Sequence, residues 1–357
     1  MKIYKFITQI SIAGCMLVGT PMLQGCMDNS LNDPLGKVSE EELGRDGFAA
    51  NAFFLTLCDY AYPIATENIY NTNESLIGDC YGRYQVMATD KFKGANFATY
   101  NAPENWLNWQ FADDNVMVLT YGAWNKIKNV TQGTGVNFAW AQILRIATMH
   151  RMLDMYGALP YSQISSDKLS TPYDTMEEAY HAMFTDLTDA INVMTVYVTE
   201  NPNNRTMAKY DKVYDGDFEK WVKFANSLKL RMAIRIRFAD REYARQMAEE
   251  AINHSIGVIT SNEDNATSLG TKNQLYTVLV QWPDQCVSAD ITSYMKGYND
   301  PRMSKYFKKK TSDKGDDDYV GMRAGLSYGN DITGPTFSRI NVGEMVRTLW
   351  MSAAETA

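Results

Sequence analysis

NFAWAQILRIATMHRMLDMYGALPYS, residues 137–162, is the stretch that decides the fold of this chain. Apolar residues recur at three- and four-residue steps along two helical stripes, Phe138, Ala141 and Leu144 in one and Ile146, Met149, Leu153 and Tyr156 in the other. A helix that is apolar on two faces must be covered on both, so this helix is expected inside a helix-rich domain. Asn137 is the expected N-cap, and Gly157 is the expected C′ residue before Pro160 ends the helix.

The same spacing predicts further helices on both sides of this stretch. They are expected over 40–65, 116–130, 176–198, 217–238, 240–256 and 288–296, with a last one that opens near 342–345. Residues 78–110 have no steady period and predict a loop with one short helix, whereas 276–280 form a β-like run. Helices that begin near 137, 176 and 217 recur about every forty residues, which indicates stacked helical hairpins of the tetratricopeptide kind. The predicted fold is mainly α, with long irregular loops and little β.

The first 25 residues have the pattern of a signal peptide. Lys2 and Lys5 precede a mostly apolar run that leads to Leu23-Gln24-Gly25-Cys26. These four residues resemble a bacterial lipobox, in which cleavage precedes the cysteine and the new N-terminus is acylated. Two alternatives stay open: a lipobox at Cys15, which leaves a shorter apolar run, and an ordinary signal peptide or uncleaved membrane helix. Residues 26–39 form a polar, acidic tether, and 40–357 form the folded domain.

Composition narrows the range of functions. The net charge of −8, a pI near 5.1 and the lack of an uncompensated basic tract argue against a nucleic-acid partner. The three histidines are outside any HExxH pattern, and Asp113 and Asp114 are adjacent, so on a helix they point about 100° apart and do not form a catalytic pair. The acidic run 313–318 lacks EF-hand spacing. We therefore expect no enzyme activity, no cofactor and no metal.

Cysteine usage gives no metal or redox motif. Cys58, Cys80 and Cys286 remain after the expected cleavage, and no C-x-x-C spacing is present. Free, buried thiols are expected, with a Cys58–Cys80 disulfide as the alternative.

Aromatic and polar residues are concentrated in the irregular segment 81–111, YGRYQVMATDKFKGANFATYNAPENWLNWQF. Glycan capture requires aromatic faces that stack on sugar C–H surfaces, with amide, carboxylate or guanidinium groups beside them to bond hydroxyls. The candidate ligand-binding residues are Tyr81, Arg83, Tyr100, Asn105, Trp106 and Trp109, together with Trp282 in a second loop. Each of these rings has a competing role in the core.

Five stretches together resemble the SusD/RagB family of nutrient-binding outer-membrane lipoproteins. They are the lipobox at Cys26, DMYGALPYSQ at 154–163, FEKWVKFANSLKLRMAIRI at 218–236, YNDPRMSKYF at 298–307 and MSAAE at 351–355. Ala158 stands where the family pattern has an acidic residue. The resemblance implies a helical-hairpin scaffold whose loops bind an oligosaccharide or, as an alternative, a peptide. It also implies a lipid-anchored, surface-exposed position on the outer membrane and a SusC-like TonB-dependent transporter as partner.

Two alternatives follow from the same residues. One is a carbohydrate-active hydrolase, and the other is a docking module or non-functional truncated fragment without a ligand site of its own. Family members usually continue past the Ala-Ala-Glu segment, so a truncation is expected here. It is expected to leave Leu349, Trp350 and Ala353 without cover.

Overall fold

The computed structural model describes residues 48–61, 66–89, 97–111, 115–164, 170–269, 274–282, 284–310, 318–326, 337–342 and 347–356. The α-helices are α1 (Phe48–Ala61), α2 (Glu67–Tyr70), α3 (Glu104–Phe111), α4 (Val116–Thr131), α5 (Gly135–Tyr156), α6 (Met176–Glu200), α7 (Phe218–Ile236), α8 (Arg241–Ile252), α9 (Gln274–Tyr276), α10 (Ala289–Gly297), α11 (Met303–Tyr306) and α12 (Ala353–Thr356). The strands are β1 (Gln85–Met87), β2 (Ala266–Leu269), β3 (Gln285–Val287), β4 (Phe307–Lys308), β5 (Arg339–Ile340) and β6 (Arg347–Met351). Two π-helices, Asn71–Asp79 and Thr277–Gln281, complete the main elements. The mainly α prediction is confirmed.

Backbone contacts divide the chain into two compact units, Met1–Ala49 and Ala50–Ala357. The second unit contains the elements above, apart from the first two residues of α1. The expected signal peptide, Cys26 and the tether lie outside the described residues, as do Asp113, Asp114 and 313–317. Within the described part of the chain, none of the helices has the length and apolar content that crossing a membrane requires.

Helix α5 lies at the centre of the largest core, and its residues 139–150 are all buried. It contacts α4, α6 and α7, which supply the two-sided cover that its sequence predicts. The ring of Trp140 stacks on Phe54 of α1 at 4.4 Å and meets Phe218 and Trp221 of α7 at 5.6 Å each. Removing a buried ring of this size costs about 3–5 kcal/mol, so this contact is a main source of stability.

The ends of α5 match the prediction at one terminus only. The helix begins at Gly135, and its N-cap is Thr134, three residues before the expected N-cap Asn137. It ends at Tyr156, and Gly157 takes a φ of 80° that an L side chain rarely adopts. The chain then turns so that the Asp174 carboxylate accepts the backbone N–H groups of Tyr161 and Ser162 at 2.9 and 2.7 Å. This turn therefore ties the end of α5 to the start of α6.

Helices α5 to α8 pack as neighbours in chain order, and capping residues mark the starts of α6 and α7. Thr175 and Glu178 form a reciprocal capping box at the start of α6, and Asp217 accepts the Lys220 N–H at the start of α7. Each of α6, α7 and α8 packs on the helix before it. The predicted hairpins are confirmed. Helix α8 ends at Ile252, earlier than the expected 256, because the chain turns at Asn253.

The strands form three small antiparallel pairs, β1–β3, β2–β6 and β4–β5. Strand β1 lies in the segment 78–110, which was predicted as a loop with one short helix. Helix α3 is that short helix, whereas the strand was not predicted. The predicted β-like run at 276–280 is wrong, since Thr277–Gln281 is a π-helix with Val278 and Leu279 buried. A short, continuously apolar run does not distinguish a strand from a buried helical turn.

The predicted last helix is wrong over 347–351. Strand β6 occupies Arg347–Met351 and pairs with β2, and of the described residues in this segment only Ala353–Thr356 is helical. Trp350 is 4% exposed, packs on Trp221 and Phe224, and donates its indole N–H to the Ser268 hydroxyl at 3.1 Å. The expectation that Trp350 lacks cover is therefore wrong, because the β2 pairing supplies a partner. Ala353 packs half-buried on the same core, and the Leu349 side chain lies outside the described part.

All three described cysteines are free and buried. The prediction of free thiols for Cys58, Cys80 and Cys286 is therefore confirmed, and the alternative Cys58–Cys80 disulfide is absent.

Candidate functional site

A cleft of about 620 Å³ is lined by four tyrosines, Tyr84, Tyr294, Tyr298 and Tyr306. All four side chains are exposed, and Tyr294 and Tyr298 are 66% and 81% exposed. The cleft is also lined by Asp79, Gln85, Ile291, Met295, Asp300, Arg302, Lys305, Phe307, Ile340 and Asn341. We call this site the tyrosine cleft.

One wall of the tyrosine cleft is the face of α10. Ile291, Tyr294, Met295 and Tyr298 follow one another at i, i+3, i+4 and i+7, the spacing that puts side chains on one helical face. The Met295 side chain packs into a small hydrophobic core with Val287, Met303 and Phe307 and anchors this face, which leaves the two tyrosine rings in solvent. The wall is therefore a rigid support for two exposed aromatic rings.

The start of α10 is joined to the early part of the chain. The Ser288 hydroxyl caps the helix by accepting the Asp290 N–H at 3.1 Å. The Ser288 N–H donates to the Tyr84 carbonyl at 3.0 Å, and β1 and β3 pair directly beside this contact. Tyr84 is thus placed at the edge of the cleft by backbone hydrogen bonds rather than by packing of its own ring.

The opposite wall comes from α11 and the β4–β5 pair. The Asn341 N–H donates to the Tyr306 carbonyl at 2.7 Å, and the Asn341 side-chain amide donates to the Lys305 carbonyl at 3.1 Å. These two bonds hold the α11 turn against the strand pair, with Phe307 opposite Ile340. The Tyr306 ring projects into the cleft from this support.

A carboxylate–guanidinium pair lies between the two walls. The Arg302 guanidinium donates from Nε to Asp300 Oδ1 at 2.9 Å and from Nη2 to Oδ2 at 2.5 Å, and the Arg302 backbone N–H also reaches Oδ1 at 2.9 Å. These hydrogen bonds lower the pKa of Asp300 to about 2, so the carboxylate is ionised at neutral pH. The guanidinium carbon lies 6.0 Å from the centroid of the Tyr306 ring. The pair offers several donors and acceptors beside an aromatic face.

Asp79 supplies a second carboxyl group, and its pKa is shifted in the opposite direction from that of Asp300. Burial raises the pKa of Asp79 to about 7, and its Oδ2 accepts the Gln85 side-chain amide at 2.6 Å. Near neutral pH the group is divided between its protonated and ionised forms. It can therefore either donate to or accept from a ligand hydroxyl.

The structure brings together three of the residues predicted from sequence. The rings of Tyr81 and Tyr100 meet at 5.0 Å with an angle of 55°, and the Arg83 guanidinium lies 5.5 Å from the centre of the Tyr100 ring. Arg83 and Tyr100 both have positive φ, 63° and 62°, which side-chain-bearing residues seldom adopt. Tyr81 also lines a separate cavity of about 320 Å³ beside α5. Tyr100 remains 60% exposed.

Like Tyr81, Arg83 and Tyr100, the other predicted residues are outside the lining of the tyrosine cleft. Trp106 packs half-buried on a second hydrophobic core, which contains Val86 and Phe97, and lies 5.9 Å from the Phe97 ring, whereas Trp109 packs on the largest core around α5. Asn105 is exposed on α3, and Trp282 is half-buried at the end of the second π-helix. Their roles in ligand binding stay predictions.

Sequence reasoning missed three tyrosines, namely Tyr294 on α10, Tyr298 at the C-cap of α10 and Tyr306 on α11. The signal was present, because 291, 294, 295 and 298 have helical spacing and a tyrosine precedes the Asn-Asp-Pro-Arg segment. Aromatic residues at this helical spacing are the sequence signal that points to the exposed face.

The comparisons with known proteins agree with this architecture. A family model described as SusD-like, SusD and RagB outer membrane lipoprotein, matches residues 30–357. A SusD homolog from Bacteroides uniformis is 36% identical over 87% of this chain with a TM-score of 0.76, and one from Bacteroides thetaiotaomicron is 31% identical over 85% with 0.75. A chitin-binding SusD homolog from Flavobacterium johnsoniae is 30% identical over 86% with 0.74.

The similarity covers only part of these proteins. This chain spans 64%, 62% and 64% of their respective lengths, which is less than two thirds in each case. No curated protein gives a significant match.

Proposed function

The chain belongs to the SusD-like family of SusD and RagB outer-membrane lipoproteins, and from this premise we propose that it is a surface nutrient-binding lipoprotein. Its ligand is an oligosaccharide, and it passes that ligand to a SusC-like TonB-dependent transporter. It acts by binding and does not transform its ligand. The observation that carries the proposal is the tyrosine cleft, with four exposed rings around a small set of charged and amide groups.

The chemistry of the cleft suits a sugar chain. The faces of Tyr294 on α10 and of Tyr298, the C-cap residue of α10, are available for stacking on the C–H surfaces of sugar rings. The Asp300–Arg302 pair, Asn341 and the carboxyl of Asp79 supply donors and acceptors for hydroxyl groups. An aromatic lining with few polar groups is the usual composition of a small-molecule site.

The early segment extends this platform. We include Tyr81, Arg83 and Tyr100 in the proposed ligand surface because their side chains contact one another in the segment that also contributes Tyr84. The other residues selected from the sequence lie outside the lining of the tyrosine cleft. We therefore propose only secondary contacts for Asn105, Trp106, Trp109 and Trp282.

The lipid anchor is part of the same proposal. Acylation of Cys26 would attach the protein to the outer membrane, with residues 26–39 as the tether. Radiolabelled palmitate is expected to mark the protein through Cys26, and label that persists in Cys26→Ala would refute this anchor.

The binding site is tested by calorimetry with chito-oligosaccharides, chosen because one similar structure is that of a chitin-binding homolog, and by a glycan array for other sugars. A single aromatic stacking contact contributes about 0.5–1.5 kcal/mol, so Tyr294→Ala and Tyr298→Ala are each expected to weaken binding roughly 2- to 13-fold. Because both rings are in solvent, these changes leave folding stability within about 0.5 kcal/mol of the wild type. Tyr173→Ala is the matched control, since Tyr173 is exposed and outside the cleft lining.

Trp106→Ala combined with Trp109→Ala is a less decisive test. Both rings pack on hydrophobic cores, so their removal lowers stability by up to about 3–5 kcal/mol each and can abolish binding indirectly. Glycan binding that is unchanged in the Tyr294/Tyr298 double variant would refute the tyrosine cleft as the site. Co-purification with a transporter barrel without binding to any glycan would favour the docking-only alternative.

The alternative of a carbohydrate-active hydrolase has one observation in its favour. Two carboxyl groups in the same cleft, Asp79 and Asp300, have pKa values shifted in opposite directions, which is the pattern of a glycosidase acid and its partner. However, both oxygens of Asp300 accept hydrogen bonds from Arg302, so neither is available as a nucleophile or base without breaking that pair. Release of reducing sugar by wild type and its loss in Asp79→Asn would establish the hydrolase instead.

A further inference from the structure

We propose that Glu177, His181 and Asp240 form a binding site for a divalent transition-metal ion of the Zn²⁺ kind. One ligand atom from each of these residues lies within 4.8 Å of the other two. The proposal is independent of glycan binding, because none of the three residues lines the tyrosine cleft. We call them the metal cluster.

Local sequence places two members of the metal cluster on one helical face. Glu177 and His181 are four residues apart in the first turns of α6, so their side chains lie one above the other. The neighbouring Glu178, rather than Glu177, closes the capping box with Thr175. The Glu177 carboxylate is exposed and does not take part in that cap.

The third member comes from the turn between α7 and α8. Asp240 caps α8, with its Oδ1 accepting the Tyr243 N–H at 3.3 Å. Since α6 packs along α7, this turn lies beside the first turns of α6. The cap holds one carboxylate oxygen and directs the other, Oδ2, to His181 Nε2 at 3.2 Å.

These distances agree with those of a metal centre. Zinc bonds of about 2.1 Å in tetrahedral geometry separate neighbouring ligand atoms by roughly 3.4 Å. The His181 nitrogen and the Asp240 oxygen already have nearly this separation. The Glu177 carboxylate must approach them by at most about 1.4 Å, which a rotamer change of an exposed side chain provides.

The surroundings hold the ligands and leave one position open. The His181 ring lies against the Tyr243 ring with centroids 4.1 Å apart, which restrains the imidazole before any ion binds. The metal cluster lines a cavity of about 330 Å³, where a fourth ligand such as water has room. Arg235 lines the same cavity, but its Nε pairs with Asp154 Oδ1 at 3.1 Å, so its charge is balanced by a carboxylate.

The donor set favours a transition metal over calcium. One imidazole nitrogen and two carboxylate oxygens suit Zn²⁺, Co²⁺ or Ni²⁺, whereas Ca²⁺ takes six to eight oxygen ligands. The two carboxylates supply negative charge, which a divalent ion neutralises.

The test is equilibrium dialysis of the purified, untagged protein against Zn²⁺, with Co²⁺ absorption as a second readout of the ligand geometry. We expect one Zn²⁺ per chain. Loss of partners in the outer shell of a metal site reduces affinity 10- to 100-fold, so Glu177→Gln, His181→Ala and Asp240→Asn, which remove direct ligands, are each expected to reduce it by at least about tenfold. Asp240→Asn is informative because asparagine is as good an N-cap as aspartate, and the fold of α8 is therefore kept.

His254→Ala is the matched control. His254 is another partly exposed histidine, and its Nε2 contacts Thr195 rather than the metal cluster. Its substitution is expected to leave Zn²⁺ binding unchanged. Equal Zn²⁺ binding by wild type and His181→Ala, or binding by wild type only at millimolar Zn²⁺, would overturn the proposal. The three side chains would then be only a histidine–carboxylate contact that joins α6 to α8.

Discussion

Replacing Arg145 tests which contacts fix the central helix α5 against its neighbours. Arg145 lies in the middle of α5, and its guanidinium is buried. The side chain is 4% exposed and lies between two aromatic rings, 4.1 Å from the centre of Trp124 and 4.2 Å from the centre of Tyr161. Its Nη2 donates to Asp186 Oδ2 at 2.5 Å, and the Tyr161 hydroxyl donates to the same oxygen at 2.8 Å. One side chain therefore joins α4, α5, α6 and the turn after α5.

These contacts determine how much folding stability the Arg145→Ala substitution is expected to remove. Removing one partner of a buried ion pair costs about 3–5 kcal/mol, because the other charge is left without compensation. Asp186 is 32% exposed, so water compensates part of its charge and reduces that cost. The two lost cation–π contacts add about 0.5–2 kcal/mol each. We expect Arg145→Ala to lower the free energy of unfolding by about 3 kcal/mol, which corresponds to a fall in Tm of about 5 °C for a domain of this size.

Two further variants separate charge from stacking. Arg145→Lys keeps the positive charge but has no planar group to lie between the rings, so a loss of about 1–2 kcal/mol is expected. Arg245→Ala is the control, since Arg245 and its partner Glu242 are both mostly exposed and such pairs contribute less than about 1 kcal/mol.

Urea unfolding followed by tryptophan fluorescence measures all three variants against wild type, provided that the transition is two-state. Arg145→Ala that unfolds at the same urea concentration as Arg245→Ala would refute the reasoning. A lysine variant as unstable as the alanine variant would show that stacking, rather than charge, is the dominant contribution.

Three other outcomes follow from single positions. Trp350→Ala is expected to lower the free energy of unfolding by about 3–5 kcal/mol because it removes a buried ring that packs on Trp221, and calorimetry measures it. Gly321→Ala puts a Cβ within 2.6 Å of the Ala289 Cα, so a loss of about 1–3 kcal/mol together with weaker glycan binding is expected. Burial raises the pKa of Asp79 to about 7, so the folded protein holds a proton that the unfolded chain releases near pH 4. Wild-type stability is expected to fall between about pH 4 and 7 relative to Asp79→Asn, and equal pH profiles in urea titrations would contradict the shift.

The sequence predicts the helical scaffold well because its information is local. The stripes of α5 continue over six turns, and caps such as Asp217 and the Thr175–Glu178 box mark helix starts within four residues. Errors at helix ends arise where several residues compete for the cap, as with Thr134 and Asn137. Apolar periodicity was sufficient here since each helix buries a long, regular face.

The strands were missed for the opposite reason. Strands of two to five residues are too short for an alternating pattern, and their partners are far along the chain. Ala266 pairs with Met351, and Val86 pairs with Cys286, about 200 residues away. The apolar spacing in 347–353 therefore predicted a helix. In the structure, pairing with the distant strand β2 makes Arg347–Met351 a strand instead. This is tertiary context overriding a local pattern.

None of the candidate ligand-binding residues named from the sequence lines the tyrosine cleft, so that site was not predicted. Composition did point to Tyr81, Arg83 and Tyr100, which the structure brings together in the early segment. Whether a tryptophan faces the core or a ligand depends on packing, and Trp106 and Trp109 lie three residues apart yet contact different cores. No spacing rule distinguishes these outcomes.

The geometry of the tyrosine cleft depends on the pairing of β1 with β3. Tyr84 directly precedes β1, and α10 begins two residues after β3, so this single strand pair sets the distance between the early segment and the helix that presents Tyr294 and Tyr298. The Ser288 N–H bond to the Tyr84 carbonyl extends the pairing by one step. Gly321 allows the segment near Met322 to pass against the start of α10, where any side chain would clash. Strain or slippage at this strand pair should therefore change glycan affinity while the helical hairpins stay folded, because the hairpins α5 to α8 have their own core.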